Sequence, residues 1–141
     1  MSAIRSLLLL CTALSLSATA LADITGRWKT IDDETGEAKS IVNIYRDGDR
    51  YYGRVEQLLL KPADTVCDKC EGERKDKPVV GMVILSDMQA DGKEYSGGEI
   101  LDPAKGKVYR CKLWLEDNNT LKVRGYLAFF YRTQSWYRVG E

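Results

Sequence analysis

Apolar and polar side chains alternate with a period of two through residues 107–130, and this alternation limits the fold more than any other feature of the sequence. A β-strand points successive side chains to opposite faces, so the pattern predicts two strands that each have one apolar face. The polar residues at 117–119 separate the two runs and predict the turn of an antiparallel hairpin. The odd-numbered positions form the apolar face: Tyr109, Cys111, Leu113, Leu115, Leu121, Val123, Gly125 and Leu127.

The alternation also predicts the register of this hairpin. A three-residue loop at 117–119 places Leu115 opposite Leu121, whereas a two-residue loop places Leu115 opposite Lys122 and mixes the two faces. We therefore predict the longer loop. Its position of positive φ falls on Asn119, since asparagine tolerates that conformation better than most residues.

Short runs rich in valine, isoleucine, tyrosine and leucine continue the pattern along the chain, and turn dipeptides separate them. Residues 83–90 could instead form one short helix. The predicted strands are 25–31, 39–46, 50–59, 79–85, 97–101, 107–116, 120–130 and 133–139. The turn dipeptides include Asp47-Gly48, Asp91-Gly92, Gly97-Gly98 and Asn118-Asn119. Seven or eight strands with one apolar face can close as a barrel or stack as a β-sandwich, and periodicity does not choose between them.

The first 22 residues are typical of a cleavable secretory signal. Arg5 precedes an apolar stretch from Leu7 to Leu16, and Ala20-Leu21-Ala22 forms a small-residue cleavage site. The apolar stretch is shorter than the roughly 20 residues that span a bilayer. We therefore predict a signal peptide at 1–22, a single exported domain at 23–141 without a transmembrane segment, and a periplasmic or secreted location.

Composition excludes several classes of function. The chain has no histidine, so it cannot build a Ser-His-Asp triad, a Cys-His pair or a histidine-ligated zinc site. Its 21 basic residues balance 21 acidic ones, and no basic run provides a nucleic-acid footprint. We expect no nucleic-acid partner, no metal and no cofactor.

Two local motifs resemble the lipocalin pattern. Gly26-x-Trp28 opens the first predicted strand, and Arg138 closes the last. In lipocalins such a tryptophan crosses the closed end of the barrel and a late arginine packs over it. The resemblance implies these roles for Gly26, Trp28 and Arg138, with Arg132 as the competing arginine. A guanidinium stacked on an indole contributes about 0.5–2 kcal/mol.

A longer series of motifs resembles the exported bacterial family of domain of unknown function 2147 (DUF2147), whose fold is lipocalin-like. The resemblance covers essentially the whole exported segment and implies a small up-and-down antiparallel barrel of about eight strands. The chain departs from the family at Leu127-Ala128-Phe129-Phe130-Tyr131, where further glycine and a longer segment are expected. The motifs occur in order: Gly26-x-Trp28, Asp32-Asp33, Cys67-x-x-Cys70-x-Gly72, Lys77-Pro78, Ile100-Leu101-Asp102-Pro103, Val123-Arg124-Gly125-Tyr126 and Arg132-Thr133-Gln134.

The spacing Cys67-x-x-Cys70 brings two sulfurs close enough to bond. Thiol-exchange enzymes place such a pair at a helix N-terminus, whereas Cys67 follows a loop-like sequence and has acidic neighbours. We predict a structural disulfide that pins the connection 61–78, and a thiol-redox enzyme is the alternative. Cys111 lies on an apolar face, and we expect it to be a free, buried and inert thiol.

These observations predict a binding protein without enzymatic activity, whose barrel interior accepts a small apolar or amphipathic molecule. A barrel filled by its own side chains, acting as an envelope interaction protein through outer aromatics, is a further alternative. The acids at 32–34 are expected to form a solvated turn. The predicted cavity lining is Trp28, Tyr109, Leu113, Val123, Leu127 and Phe129. The predicted outer aromatics are Tyr45, Tyr51, Tyr52, Trp114 and Tyr126.

Overall fold

Eight antiparallel strands follow one another along the chain, each joined to the next by a reversal of direction. The computed structural model describes residues 12–15 and 23–140, so most of the predicted signal peptide lies outside the described residues. Between β3 and β4 one 3₁₀ turn, Gly72–Arg74, interrupts a long connection. The strands are β1 (Gly26–Ile31), β2 (Ala38–Asp47), β3 (Arg50–Leu58), β4 (Val83–Asp91), β5 (Glu94–Asp102), β6 (Lys107–Asp117), β7 (Thr120–Leu127) and β8 (Phe130–Arg138).

Each strand pairs with its sequence neighbours, and β8 pairs back with β1, which closes the sheet into a barrel. The predicted up-and-down barrel of eight strands is therefore confirmed, and the sandwich alternative is wrong. The turns alternate between two ends. One end, called the closed end below, carries the turns at 48–49, 92–93 and 118–119 together with residues 23–25. The other, the open end, carries the connections 32–37, 59–82, 103–106 and 128–129.

The β6–β7 hairpin has the predicted register. Leu115 pairs with Leu121 and Leu113 with Val123, so both apolar faces point inward. The turn itself differs from the prediction, because Asp117 pairs with Thr120 across a two-residue turn. A β-bulge between Leu115 and Asp117 supplies the extra residue that keeps the faces aligned. Asn119 has a negative φ, so the prediction of a left-handed residue there was wrong.

Strand β4 covers the segment that sequence periodicity allowed as a short helix. Its buried residues Ile84, Leu85 and Met88 have a spacing that imitates a helical period. The β3–β4 ladder contains two register shifts, and the φ of +58° at Asp87 marks the local distortion. Tyr52 donates its hydroxyl hydrogen to Asp87 Oδ1 at 3.0 Å. Bulges therefore explain the irregular spacing, and the helical interpretation was wrong.

Gly97-Gly98 lies inside β5 and forms no turn, contrary to the prediction. A Cβ at Gly98 would lie 2.0 Å from the carbonyl oxygen of Ser86 on the neighbouring strand. Glycine is required there because the β4 backbone approaches too closely for any side chain. The strand begins at Glu94, three residues before the predicted start at 97, so both glycines lie in its interior.

The closed end is sealed by Trp28 and Arg138. Trp28 is fully buried, and its indole N–H donates to the carbonyl oxygen of Ile24 at 2.9 Å. The guanidinium of Arg138 lies 4.3 Å from the indole ring centre. It also donates to the carbonyl oxygens of Asn118, Thr25 and Asp23, at 2.7, 2.9 and 3.0 Å. One side chain thus joins the N-terminal segment, the β6–β7 turn and the last strand.

Gly26 provides the space that Arg138 needs. Its φ is +119°, and a Cβ there would lie 3.1 Å from Nη1 of Arg138. The structure therefore gives Gly26, Trp28 and Arg138 one shared arrangement at the closed end. Arg132, the competing arginine, lies at the open end and pairs with Asp33.

The seam between β1 and β8 is short. Within residues 23–140 its ladder consists of two residue pairs, Trp28 with Arg138 and Lys29 with Tyr137. The backbone N–H of Val139 extends it by donating to the carbonyl oxygen of Arg27 at 2.9 Å. Main-chain closure of the barrel is therefore concentrated next to the Arg138–Trp28 contact.

We expect Arg138→Ala to lower the free energy of unfolding by about 2–3 kcal/mol, because it removes a stacked cation and leaves three carbonyl groups without their donor. Arg132→Ala is the matched control: it removes an arginine of the same strand whose ion pair is exposed, and should cost less than about 1 kcal/mol. Urea unfolding followed by tryptophan fluorescence measures both. Equal losses in the two variants would contradict the role given to Arg138.

Candidate functional site

The barrel interior is packed with side chains near the closed end and hollow near the open end. Trp28, Val42 and Leu113 are fully buried in the packed part. Beyond them a cavity of about 770 Å³ opens toward the open end. This volume lies within the range of about 300–1,000 Å³ that small-molecule sites occupy.

Apolar side chains from most of the strands form the cavity walls. Gly125 also belongs to the wall, and because it has no side chain it leaves space between β6 and β8. Thr30 and Ser40 are buried polar residues of the wall, and their hydroxyl groups bond each other at 2.5 Å. Among the described residues no buried side-chain nitrogen or oxygen lacks a partner. The apolar wall residues include Val55, Leu58, Val79, Ile84, Ile100, Leu101, Tyr109, Val123 and Trp136.

Charged side chains surround the mouth of the cavity. Five of the lining residues are cationic and three are anionic. No carboxylate of residues 23–140 lies within ion-pair distance of the ammonium groups of Lys39, Lys61, Lys69 and Lys105. The fifth cation, Arg132, is neutralised by Asp33, whose Oδ2 lies 2.7 Å from Nη2.

Two of the mouth carboxylates are occupied by backbone donors. The N–H of Thr35 donates to Asp32 Oδ1, and this hydrogen bond lowers the pKa of the Asp32 carboxyl. The N–H of Ala104 donates to Asp102 Oδ1 at 3.0 Å. Together with the third anion, Asp68, these carboxylates face five cations, so the mouth has an excess of positive charge.

Asp33 links two parts of the barrel mouth, which the sequence analysis did not predict. Besides the pair with Arg132, it accepts a hydrogen bond from the side-chain amide of Gln134 at 2.7 Å. The amide oxygen of Gln134 in turn accepts the indole N–H of Trp136 at 3.3 Å. Asp33 thus connects the β1–β2 turn with β8 at the mouth. Asp33 lies in an exposed turn, as predicted, but it also makes contacts across the barrel that the prediction did not include.

The six predicted lining residues fall into three groups. Tyr109, Val123 and Leu127 line the cavity. Trp28 and Leu113 point inward but belong to the packed part, because they lie closer to the closed end. Phe129 was placed wrongly, since it lies in the two-residue β7–β8 turn and is 98% exposed.

The outer aromatic face predicted from the sequence is also incomplete. Tyr51 is buried, and its ring meets Tyr95 edge-on with the centroids 4.9 Å apart. Arg124 covers the ring of Trp114 at 4.9 Å. The large exposed aromatics lie instead at the β7–β8 turn and on Tyr137. The sequence prediction included residues 128–129 in the strand 120–130, whereas a turn at this position would have predicted exposed aromatics there.

The connection between β3 and β4 forms one wall of the mouth and is tied by a disulfide. Cys67 and Cys70 are bonded, as predicted, and both are buried. Cys67 Sγ lies 3.5 Å from the carbonyl oxygen of Pro103 in the β5–β6 turn. A Cβ at Gly106 would lie 1.9 Å from the carbonyl oxygen of Lys69, so only glycine permits this packing. The disulfide loop and the β5–β6 turn therefore form one packed unit that carries Lys69 and Lys105.

Cys111 is a free and buried thiol on β6, as predicted. Burial raises its pKa to about 12, so the nucleophilic thiolate is almost absent at neutral pH. Residues 12–15 and 23–140 contain no cluster of three or more groups suited to hold a metal ion. Within the same residues no helix has the length and apolar character needed to cross a bilayer.

The family match follows the barrel from the first strand to the last. The family described as "Uncharacterized protein conserved in bacteria (DUF2147)" matches residues 26–138. The chain belongs to this family. The match extends from Gly26 to Arg138, the two residues that meet at the closed end of the barrel.

A solved structure is similar to this DUF2147 barrel. It is described as "Protein HP1028 from the human pathogen Helicobacter pylori belongs to the lipocalin family" and has 17% sequence identity, with a TM-score of 0.76. The similarity covers 86% of each chain. At this identity the comparison supports the lipocalin-like fold only. No curated protein matches the chain.

We expect the Cys67–Cys70 disulfide to have a reduction potential below about −300 mV, because both cysteines are buried and packed against the β5–β6 turn. Equilibration with dithiothreitol buffers, followed by alkylation and mass spectrometry, measures this potential. A value between roughly −120 and −270 mV would instead support the thiol-redox alternative.

Proposed function

We propose that this DUF2147 protein is an exported binding protein that holds one small amphipathic ligand in its barrel and performs no covalent chemistry on it. The observation that carries the proposal is the cavity of about 770 Å³, closed at one end by Trp28 and open at the other. A barrel filled by its own side chains would offer no such volume. Here only the part near the closed end is filled.

The walls and the mouth favour different parts of a ligand. Apolar walls favour an acyl chain or a ring system, because burying apolar surface contributes about 25 cal/mol per Å². The lysines at 39, 61, 69 and 105 have no ion-pair partner among residues 23–140, so they favour an anionic head group at the mouth. We infer an anionic amphiphile, oriented with its apolar part inward.

The disulfide supports the proposed export. Disulfides persist mainly in oxidising compartments such as the periplasm and the extracellular space. The signal-like sequence of residues 1–22 points to the same location. Native mass spectrometry of the protein purified from its own host tests both parts, since it reports the processed mass and any retained ligand. Recovery of an unprocessed chain would contradict export.

Filling the cavity should weaken binding while leaving the barrel intact. Gly125→Leu adds a side chain to the wall, and its Cβ meets Tyr109 at an ordinary contact distance of 3.4 Å. With dodecanoate as the probe in isothermal titration calorimetry, we expect affinity to fall by roughly tenfold or more. Thr133→Leu is the control, because it adds the same side chain to the outer face of β8, where Thr133 pairs with Arg124. Equal affinities in the two variants would contradict binding inside the barrel.

The charge of the head group should affect affinity. We expect dodecanoate to bind roughly tenfold more tightly than dodecanol, and this advantage should shrink at high salt because the lysines are at the solvent-exposed mouth. Replacing Lys69 and Lys105 together by glutamine should reduce the difference. If dodecanol bound as tightly as dodecanoate at low salt, the ligand class would be neutral rather than anionic.

A further inference from the structure

The β7–β8 turn presents four large apolar side chains to solvent. Leu127, Phe129, Phe130 and Tyr131 are 54, 98, 78 and 62% exposed. We call these four residues the apolar tip. Leucine and phenylalanine are normally among the most buried residue types, so a contiguous exposed group of this kind indicates an interaction site.

The apolar tip is an ordered part of the hairpin. Leu127 pairs with Phe130 directly across a two-residue turn. Ala128 has a φ of +52°, a conformation that favours glycine, so an alanine there carries a small strain. Arg124 lies 4.4 Å from the ring centre of Tyr131 and supports it from the outer face. The paired backbone therefore holds Phe129 out in solvent at the end of the turn and Phe130 at the rim of the barrel.

The apolar tip continues into the cavity. Leu127, Phe130 and Tyr131 also line the cavity, so one apolar surface runs from the outside of the barrel to its interior. Across the mouth, Leu60 and Val66 are 46 and 41% exposed and line the same cavity. The exposed apolar residues thus lie around the mouth of the cavity.

Shape and charge together indicate the partner. A narrow hairpin with four exposed side chains provides less area than the roughly 800 Å² per partner of a stable protein interface. Phenylalanine, tyrosine and leucine next to lysine are the residues that bind the interfacial region of a bilayer. The mouth has five cationic lining residues against three anionic ones, and its lysines at 61, 69 and 105, without an ion-pair partner among residues 23–140, complement anionic lipid head groups.

We propose that the apolar tip inserts into the interface of an anionic lipid bilayer and holds the open end of the barrel against the membrane. The hairpin can enter this region because its main-chain groups are paired up to Leu127 and Phe130. Docking in this orientation places the cavity mouth next to the lipid surface. This membrane contact goes beyond ligand binding and does not require an occupied cavity.

Vesicle binding tests the proposal directly. The protein is expressed in its own host, purified as the cell processes it, and sedimented with vesicles of phosphatidylcholine and phosphatidylglycerol at about seven to three. We expect Phe129→Ser combined with Phe130→Ser to reduce the bound fraction by roughly tenfold or more, since both rings lose their apolar burial. Tyr137→Ser is the matched control, because Tyr137 is an aromatic of the same strand, 45% exposed, at the other end of the barrel. It should bind as the unchanged protein does.

A second variant reports depth of insertion without removing the apolar surface. In Phe129→Trp the added indole should be quenched by brominated lipids in the same vesicles. The three native tryptophans should be quenched little, because Trp28 and Trp136 are buried and Trp114 lies under Arg124. If the added indole of vesicle-bound Phe129→Trp stayed unquenched, the insertion would be overturned.

The remaining outcomes identify other partners. Equal vesicle binding by the double variant and the unchanged protein would overturn the proposal. So would a dimer in analytical ultracentrifugation that the double variant loses, because the apolar tip would then bind a second copy. Dodecanoate affinity is measured on the same samples: if it persists without vesicle binding, membrane docking fails while the proposed ligand binding stands.

Discussion

The stacking of Arg138 on Trp28 is the interaction on which the rest of the architecture depends. The two side chains fill the closed end of the barrel. Arg138 also donates to three carbonyl oxygens, and these hydrogen bonds hold the N-terminal segment and the β6–β7 turn in place. The short β1–β8 ladder lies at the same point, so the sheet closes where the indole is buried. Because this end is filled, the unfilled volume must lie at the opposite end. The position of the candidate site is therefore a consequence of how the barrel is sealed.

The open end is built from connections rather than strands, and this determines its chemistry. The disulfide and the close packing of Gly106 against Lys69 fix two turns that each carry a lysine to the mouth. Backbone N–H groups donate to the nearby carboxylates of Asp32 and Asp102, which remain charged, but five cationic lining residues outnumber the three anionic ones. A small domain without histidine thus carries an excess of positive charge at the entrance of an apolar cavity.

The period-two alternation of apolar and polar residues was sufficient to predict those parts of the fold that are determined by residues close together in the sequence. It predicted the register of the β6–β7 hairpin correctly, because a shift by one residue would have turned Leu115 toward solvent. It failed at β4, where bulges altered the spacing, and at Gly98, whose need for glycine comes from the adjacent strand. Phe129 was misplaced because a tight turn follows Leu127. The four lysines converge at the mouth from separate connections and β2, which no local pattern could show.

The two ends of the β1–β8 seam are held together by different kinds of bond. Near Trp28 the strands are joined by their main chains, whereas near the mouth β8 is joined to the β1–β2 turn through the side chain of Asp33. Side-chain links break and re-form without unravelling a ladder, and an exposed ion pair contributes at most about 1 kcal/mol. The barrel seam is therefore fastened by main-chain pairing at the closed end and by an exchangeable side-chain clasp at the open end, while seven other strand pairings complete the sheet.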